Sequence, residues 1–298
     1  MRIGESRHSA KNQAREELQR QNPDRGISAT DIRIDTIHSM NTYKAYLEHC
    51  NHFVDWCIKE KHINKYTSLN KLEDLTKEYL KEREEQSKSL YTLKAEKAAL
   101  GKLFGKEIDY KFKEKRTVDK ITRSRLETER QKHFSEERNS DLVNVCKGTG
   151  GRREDISKLT PRNFFADEKG NMWVEFKQSK GGRDRIAPVL PQYQQAIKDF
   201  IATKDRNEKL FDKIHNAADV HGYRREYAQS LYDLVKEDKD KQKEYANMYP
   251  QRDKSGYDKY FARGDKETRF TGQKDDIYIV SQALGHNRLD VTVNHYLK

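Results

Sequence analysis

Four short stretches in the second half of the chain set cations and protonatable groups beside turn glycines: "TGGRREDISKL", "QSKGGRDRIAP", "VHGYRREYA" and "LGHNRLDVTVNHY". The first places Arg152 at a helix start, where exposed N–H groups already favour an anion. The second places Lys180 in a hairpin turn. The third sets His221 and Arg224 three apart, hence on one helical face. The fourth gives His286 after a glycine and Tyr296 ten residues on. Taken singly, each has an ordinary reading: a surface arginine, a soluble turn lysine, a solvated helix face, a tail tyrosine. Taken together they offer anion binding, proton transfer and a phenol that can attack.

Such a set must be carried by ordered elements. Helix is predicted over 135–149 and 153–160, a β-hairpin in "MWVEFKQSKGGRDRIAPVL", and helices in "LPQYQQAIKDFIATK", "VHGYRREYAQSLYDLVKED" and "DIYIVSQALGH". The polar stretch at about 236–274 reads as a surface insertion in this domain, which spans 121–298. Ahead of it, Tyr43, Tyr46, Leu47, Cys50, Phe53, Val54, Cys57 and Ile58 recur at helical spacing over 39–60. Two more helical stretches, "LEDLTKEYLKEREEQ" and "SLYTLKAEKAALGKLFG", complete a small all-helical domain at 37–110. Residues 111–120 read as a basic linker. Residues 1–36 read as an N-terminal extension with a short helix in "SAKNQAREELQRQ", which an ordered extension, a DNA-contacting arm and a loose tail fit equally.

The chain has 298 residues, 34% hydrophobic and 37% charged, with a net charge of +11. That balance supports a modest core per domain and favours a polyanionic partner, nucleic acid first. Three cysteines fit no disulfide framework and read as a reducing, cytoplasmic setting. His49 and His52 lie near Cys50 and Cys57, but no zinc-finger spacing appears, so no metal ligand set is predicted. No apolar run reaches transmembrane length, and the N-terminus has no secretory apolar region.

In their order, these residues resemble the tyrosine recombinase (phage integrase) family. "TGGRREDISKL" resembles its "TGxRxxE" box, with Arg152 at the arginine and Asp155 at the acidic position. "SKGGRDRIAP" looks like its β-hairpin, with Lys180 as the lysine. "HGYRREYA" is similar to "HxLRH", with His221 and Arg224 matching and Arg225 in place of the last histidine. "LGH" and the downstream tyrosine supply His286 and Tyr296. The resemblance implies a mostly α fold with a small β-sheet (α+β): a helical SAM-like core-binding domain followed by a catalytic domain, closing as a C-shaped clamp on double-stranded DNA.

The resemblance further implies the chemistry. Arg152 and Arg224 would clamp a phosphodiester through charge-assisted hydrogen bonds, with His286 as a further donor. His221 would help remove the proton of Tyr296, whose anion neighbouring cations favour. Tyr296 would form a covalent 3′-phosphotyrosine link, and Lys180 would protonate the leaving 5′-hydroxyl. No cofactor is implied. The family pattern implies a homo-tetramer that pairs two DNA sites through a Holliday junction, with accessory DNA-bending proteins as further partners, on the bacterial nucleoid. The insertion and the extension favour integration or excision of a mobile element over chromosome-dimer resolution. A type IB topoisomerase-like enzyme and a DNA-binding regulator that does not cleave are the rival readings. The separate helical domain and the filled catalytic positions favour the recombinase.

Three departures from the family pattern stand out. The gap from Arg224 to His286 is 62 residues, longer than usual, and the insertion at about 236–274 accounts for it. Tyr296 falls one residue later after His286 than in many members, with His295 in the usual tyrosine position. Many members also continue past the tyrosine into a segment that docks on a neighbour. Here only Leu297 and Lys298 follow, so assembly is expected to use the extension or the insertion, unless the end is trimmed.

Overall fold

Helical spacing of apolar residues builds the first part of the molecule, and strand alternation beside helices builds the second. A computed structural model describes residues 10–20, 37, 40–113, 133–179, 182–254, 256–263, 266–286 and 288–297. The chain divides into two compact units, Met1–Thr117 and Val118–Lys298.

In the first unit, α1 (Ala10–Arg20), α2 (Met40–Glu60), a 3₁₀ segment (Leu69–Leu75), α3 (Thr76–Glu85) and α4 (Leu90–Leu103) share one core. The stripe on α2 buries Cys50, Phe53, Val54 and Cys57 as its spacing predicts. Trp56 is also buried, its Nε1 donating to Glu82 Oε2 at 2.8 Å. Ser89 caps α4 by accepting from the Thr92 N–H at 3.2 Å. The part of the N-terminal extension seen as α1 packs on α2 and adds fully buried Ala14 and Leu18 to this core. Burying a leucine is worth about 1.5–3 kcal/mol, so α1 is an integral helix of this unit. The predicted linker begins by packing on it: Tyr110 Oη and the Lys113 N–H both donate to the Glu84 carboxylate, at 2.8 and 2.7 Å.

In the second unit, α5 (Ser140–Thr149) and a short α6 (Arg153–Ile156) precede an antiparallel sheet of β1 (Phe164–Ala166), β2 (Met172–Ser179) and β3 (Arg183–Pro188) in that order. The predicted hairpin is β2–β3, with a bulge between Phe176 and Ser179; β1 has too little alternation to be read from sequence. Then come α7 (Pro191–Ala202), α8 (Val220–Glu237), α9 (Lys239–Asn247), the hairpin β4 (Lys259–Phe261) and β5 (Thr271–Gln273), α10 (Lys274–Ala283), α11 (Leu289–Thr292) and a π-helical turn, Val293–Leu297. The polar stretch at 236–274 is more than surface. Its α9 carries fully buried Tyr245, whose ring meets Trp173 edge-on at 5.3 Å between centroids. The core runs through Trp173, Ile197, Tyr227, Leu231, Val280 and Tyr296. Among the described residues no helix is long and apolar enough to cross a membrane.

Candidate active site

Helix α5 ends at Gly150, whose φ of +62° belongs to the left-handed region. A β-carbon there would also overlap the Tyr227 ring, so glycine is required twice over. The chain re-enters helix at once, with Arg152 as the N-cap of α6. The Arg152 N–H donates to Asp155 Oδ2 at 3.1 Å, which fixes the entry to the helix. The Arg152 guanidinium donates to Ser179 Oγ at 3.0 Å through Nη1 and to the Leu284 carbonyl at 3.3 Å through Nη2. Its side chain stays 24% exposed, so one edge of the fork faces outward.

Arg224 comes from the second turn of α8, whose cap Asp219 accepts from the Gly222 N–H at 3.0 Å. It is 2% exposed. Its Nη2 donates to the same Leu284 carbonyl at 2.5 Å, its Nη1 to the Gly150 carbonyl, and its Nε to Tyr296 Oη at 3.3 Å. One main-chain oxygen therefore gathers both arginines, and one of them holds the phenol. Tyr296 is buried, with its ring centroid 5.5 Å from that of His286 and 6.1 Å from that of His221. His221 is exposed, on the first turn of α8.

The π turn explains why Tyr296, and not His295, faces the site. A π turn closes its hydrogen bonds from i to i+5 and so takes up one more residue than an α turn. Across Val293–Leu297, Val293 and Tyr296 point inward and His295 is exposed.

His286 follows Gly285 at the end of α10. Its N–H donates to the Ser281 carbonyl at 2.8 Å, and Ser281 Oγ donates back to the His286 carbonyl at 2.6 Å. Its Nε2 is buried without a hydrogen-bond partner. Burial first, and then the charges of Arg224, Arg152 and Arg185, push its pKa down to about 3, so the ring is neutral at neutral pH.

Sequence reading missed two supporting residues, Ser179 and Arg185. Arg185 is paired with Phe176 across β2–β3, its guanidinium carbon 3.9 Å from that ring centre. Its Nη2 donates to Asp155 Oδ2 at 2.9 Å and its Nη1 to the Ala283 carbonyl. Burial, and then Arg224, push the Arg185 pKa down to about 10. Ser179 Oγ donates to Asp155 Oδ1 at 2.9 Å. Burial works to raise the Asp155 pKa, but the Arg185 charge and these hydrogen bonds outweigh it and hold the carboxyl below its ordinary value. The available signal was an arginine sharing a strand face with buried Ala187. Gly285 (φ +66°) leaves Arg185 its place, since a β-carbon there would stand 2.7 Å from Arg185 Cδ. A cavity of ≈ 360 Å³ borders Arg152, Ser179, Arg183 and Arg185.

The structure thus brings Arg152, His221, Arg224, His286 and Tyr296 together, while Lys180 lies outside the described residues. Two guanidiniums, those of Arg152 and Arg185, share the Asp155 carboxylate, and Arg224 has no carboxylate partner there, an arrangement suited to an incoming anion.

No protein-family model matches the sequence, and no curated protein does. The fold does find likenesses. One is the XerH site-specific recombinase bound to palindromic difH substrate in a post-cleavage complex: TM-score 0.50, 15% identity, covering 97% of this chain and 93% of that one. Another is the Tn1549 transposon integrase in complex with circular intermediate DNA: TM-score 0.50, 12% identity, covering 97% of this chain and 94% of that one. The chain has the tyrosine recombinase fold. In this recombinase fold the candidate residues come from α6, α8, the end of α10 and the π turn, all in the second unit.

Proposed function

We propose that the chain is a site-specific DNA recombinase that cuts and rejoins DNA through a covalent 3′-phosphotyrosine. One observation carries the reading: Arg224 Nε reaches Tyr296 Oη at 3.3 Å while its Nη2 shares the Leu284 carbonyl with Arg152. A hydrogen bond from a guanidinium stabilises negative charge on the attacking oxygen. The same pair of cations can meet the nonbridging oxygens of a phosphodiester, where charge grows in the transition state.

In the cleavage step, Tyr296 Oη bonds to phosphorus and the bond from phosphorus to O5′ breaks. The tyrosine proton passes to solvent or to His221, and the 5′-hydroxyl leaves with a proton from Lys180. Neutral His286 offers a ring N–H to a phosphate oxygen. Rejoining is the reverse reaction with a 5′-hydroxyl as nucleophile, so the bond energy is kept in the phosphotyrosine. Recombination also asks for two sites held together, which a homo-tetramer on DNA supplies. Recombination sites of a mobile element, accessory DNA-bending proteins and a cytoplasmic setting on the nucleoid complete the reading.

The test is a nicked suicide substrate built on the cognate site, found from sequence flanking the gene and read on a denaturing gel. A protein–DNA adduct is expected, and Tyr296→Phe should abolish it. An adduct that persists in that variant moves the nucleophile elsewhere. Tight binding to a verified site without any adduct favours the non-cleaving regulator. Resealing of the same strand with no strand exchange favours the topoisomerase-like enzyme.

A further inference from the structure

We propose that His49, His52 and Glu96 form a zinc-type metal site that ties α2 to α4 in the helical unit. It stands apart from the reaction proposed above. His49 and His52 lie three residues apart on α2, so their rings share a face. The rings are 6.5 Å apart between centroids and inclined by 68°. Glu96 faces them from α4 and is 1% exposed. One ligand atom from each residue lies within 4.8 Å of the other two.

A second observation points to a ligand. His49 Nδ1 is buried and makes no hydrogen bond, with Glu96 Oε1 4.0 Å away. A buried ring nitrogen is normally satisfied, and a metal ion would satisfy this one and the carboxylate together. Arg83 already donates to Glu96, through Nη2 at 2.6 Å and Nε at 3.1 Å to Oε1, with the Nε contact to Oε2 at 3.3 Å. A carboxylate has about four acceptor sites, so Glu96 can bridge guanidinium and metal. Arg83 then acts as the outer partner that orients a ligating carboxylate.

Two imidazoles and one carboxylate suit zinc rather than magnesium or calcium, which take oxygen ligands. Tetrahedral zinc wants ligand atoms about 3.4 Å apart, so the triad must close slightly. His52, exposed at the surface, has the freedom to swing in and leaves the fourth position to water. Zinc-finger spacing did not expose the site because its third ligand comes from another helix.

The experiment uses the full chain, with Co²⁺ as spectroscopic probe and Zn²⁺ as competitor, alongside thermal unfolding with Zn²⁺ or a chelator. Co²⁺ should give visible d–d bands that Zn²⁺ removes. Saturating Zn²⁺ should raise the melting temperature by about 5 °C or more. His52→Ala, at an exposed position, should fold with unchanged circular dichroism and lose both responses; His49→Gln should lose the bands too. Absence of bands and of a melting shift in the unaltered chain would overturn the site. So would a Zn²⁺ response that survives in His52→Ala.

Discussion

The two units each bury an ion pair, and the two pairs are built on different arithmetic. In the helical unit, Glu96 meets one guanidinium, that of Arg83, whose side chain keeps 19% exposure. Charge is balanced there and one partner touches water. In the second unit, Asp155 is set against Arg152 and Arg185, and Arg224 adds a third positive charge beside Arg185. Arg224, with no carboxylate bond, rests on main-chain carbonyls and a phenol oxygen. Burial first, and then the neighbouring guanidiniums, lower the pKa values of Arg185 and His286, so the surplus of positive charge adds to a cost that burial begins. A balanced pair holds helices together; a surplus held in place is suited to meet an anion.

The widest test of this contrast is to remove the carboxylate from each pair. Asp155→Asn leaves Arg152 and Arg185 without their counter-charge beside an already unpaired Arg224 and should cost about 3–5 kcal/mol. Glu96→Gln strands only Arg83, which can turn to water, and should cost about 1–3 kcal/mol. Chemical denaturation of both variants measures the gap. Equal losses would mean that the surplus in the second unit has no energetic weight.

Acid should act next. His286 has a folded pKa near 3, below the ordinary 6.5, so its neutral form belongs to the folded state. Stability from this group is complete above pH 6.5 and is lost as pH falls from there towards 3. With partial exposure discounted, the slope should be about 1 kcal/mol per pH unit. The Asp155 contribution, with its depressed pKa, is present above the ordinary carboxylate range and is lost at still lower pH. His286→Asn should flatten the upper part of the curve, as stability measured from pH 7 to 5 would show.

The gentlest perturbation is to supply the anion. Inorganic phosphate should raise the melting temperature by about 2–4 °C, while sodium chloride at equal ionic strength should not. Arg224→Gln should remove the difference. A phosphate effect untouched by that variant would place the anion away from the arginine cluster.

Much of this contrast could be read from the chain, and the reason is chemical. In the proposed reaction Arg152, His221, Arg224, His286 and Tyr296 would act through their own side chains, so their types and order stand in the text. Long helices with clean apolar spacing, such as α2, α4 and α8, were equally legible. What escaped depends on register and distance. Arg185 reaches Asp155 only because β3 pairs Arg185 with Phe176 and the β-bulge shifts register beyond that pair. Tyr245 hides in a polar run because a single inward position of α9 meets Trp173. His49 and Glu96 converge only once α4 packs on α2. The place of Tyr296 over His295 turns on a π turn, for which spacing alone gives no mark.

The oxygens that gather Arg152 and Arg224 belong to the peptide units of Gly150 and Leu284. Every amino acid carries such an oxygen, so this anchorage places no demand on the letter written at position 284. The side chain at position 284 answers only to the core it packs in, while its carbonyl holds the two arginines. The cation cluster is thus fixed by the path of the backbone, and a change of side chain that leaves that path alone leaves the cluster alone.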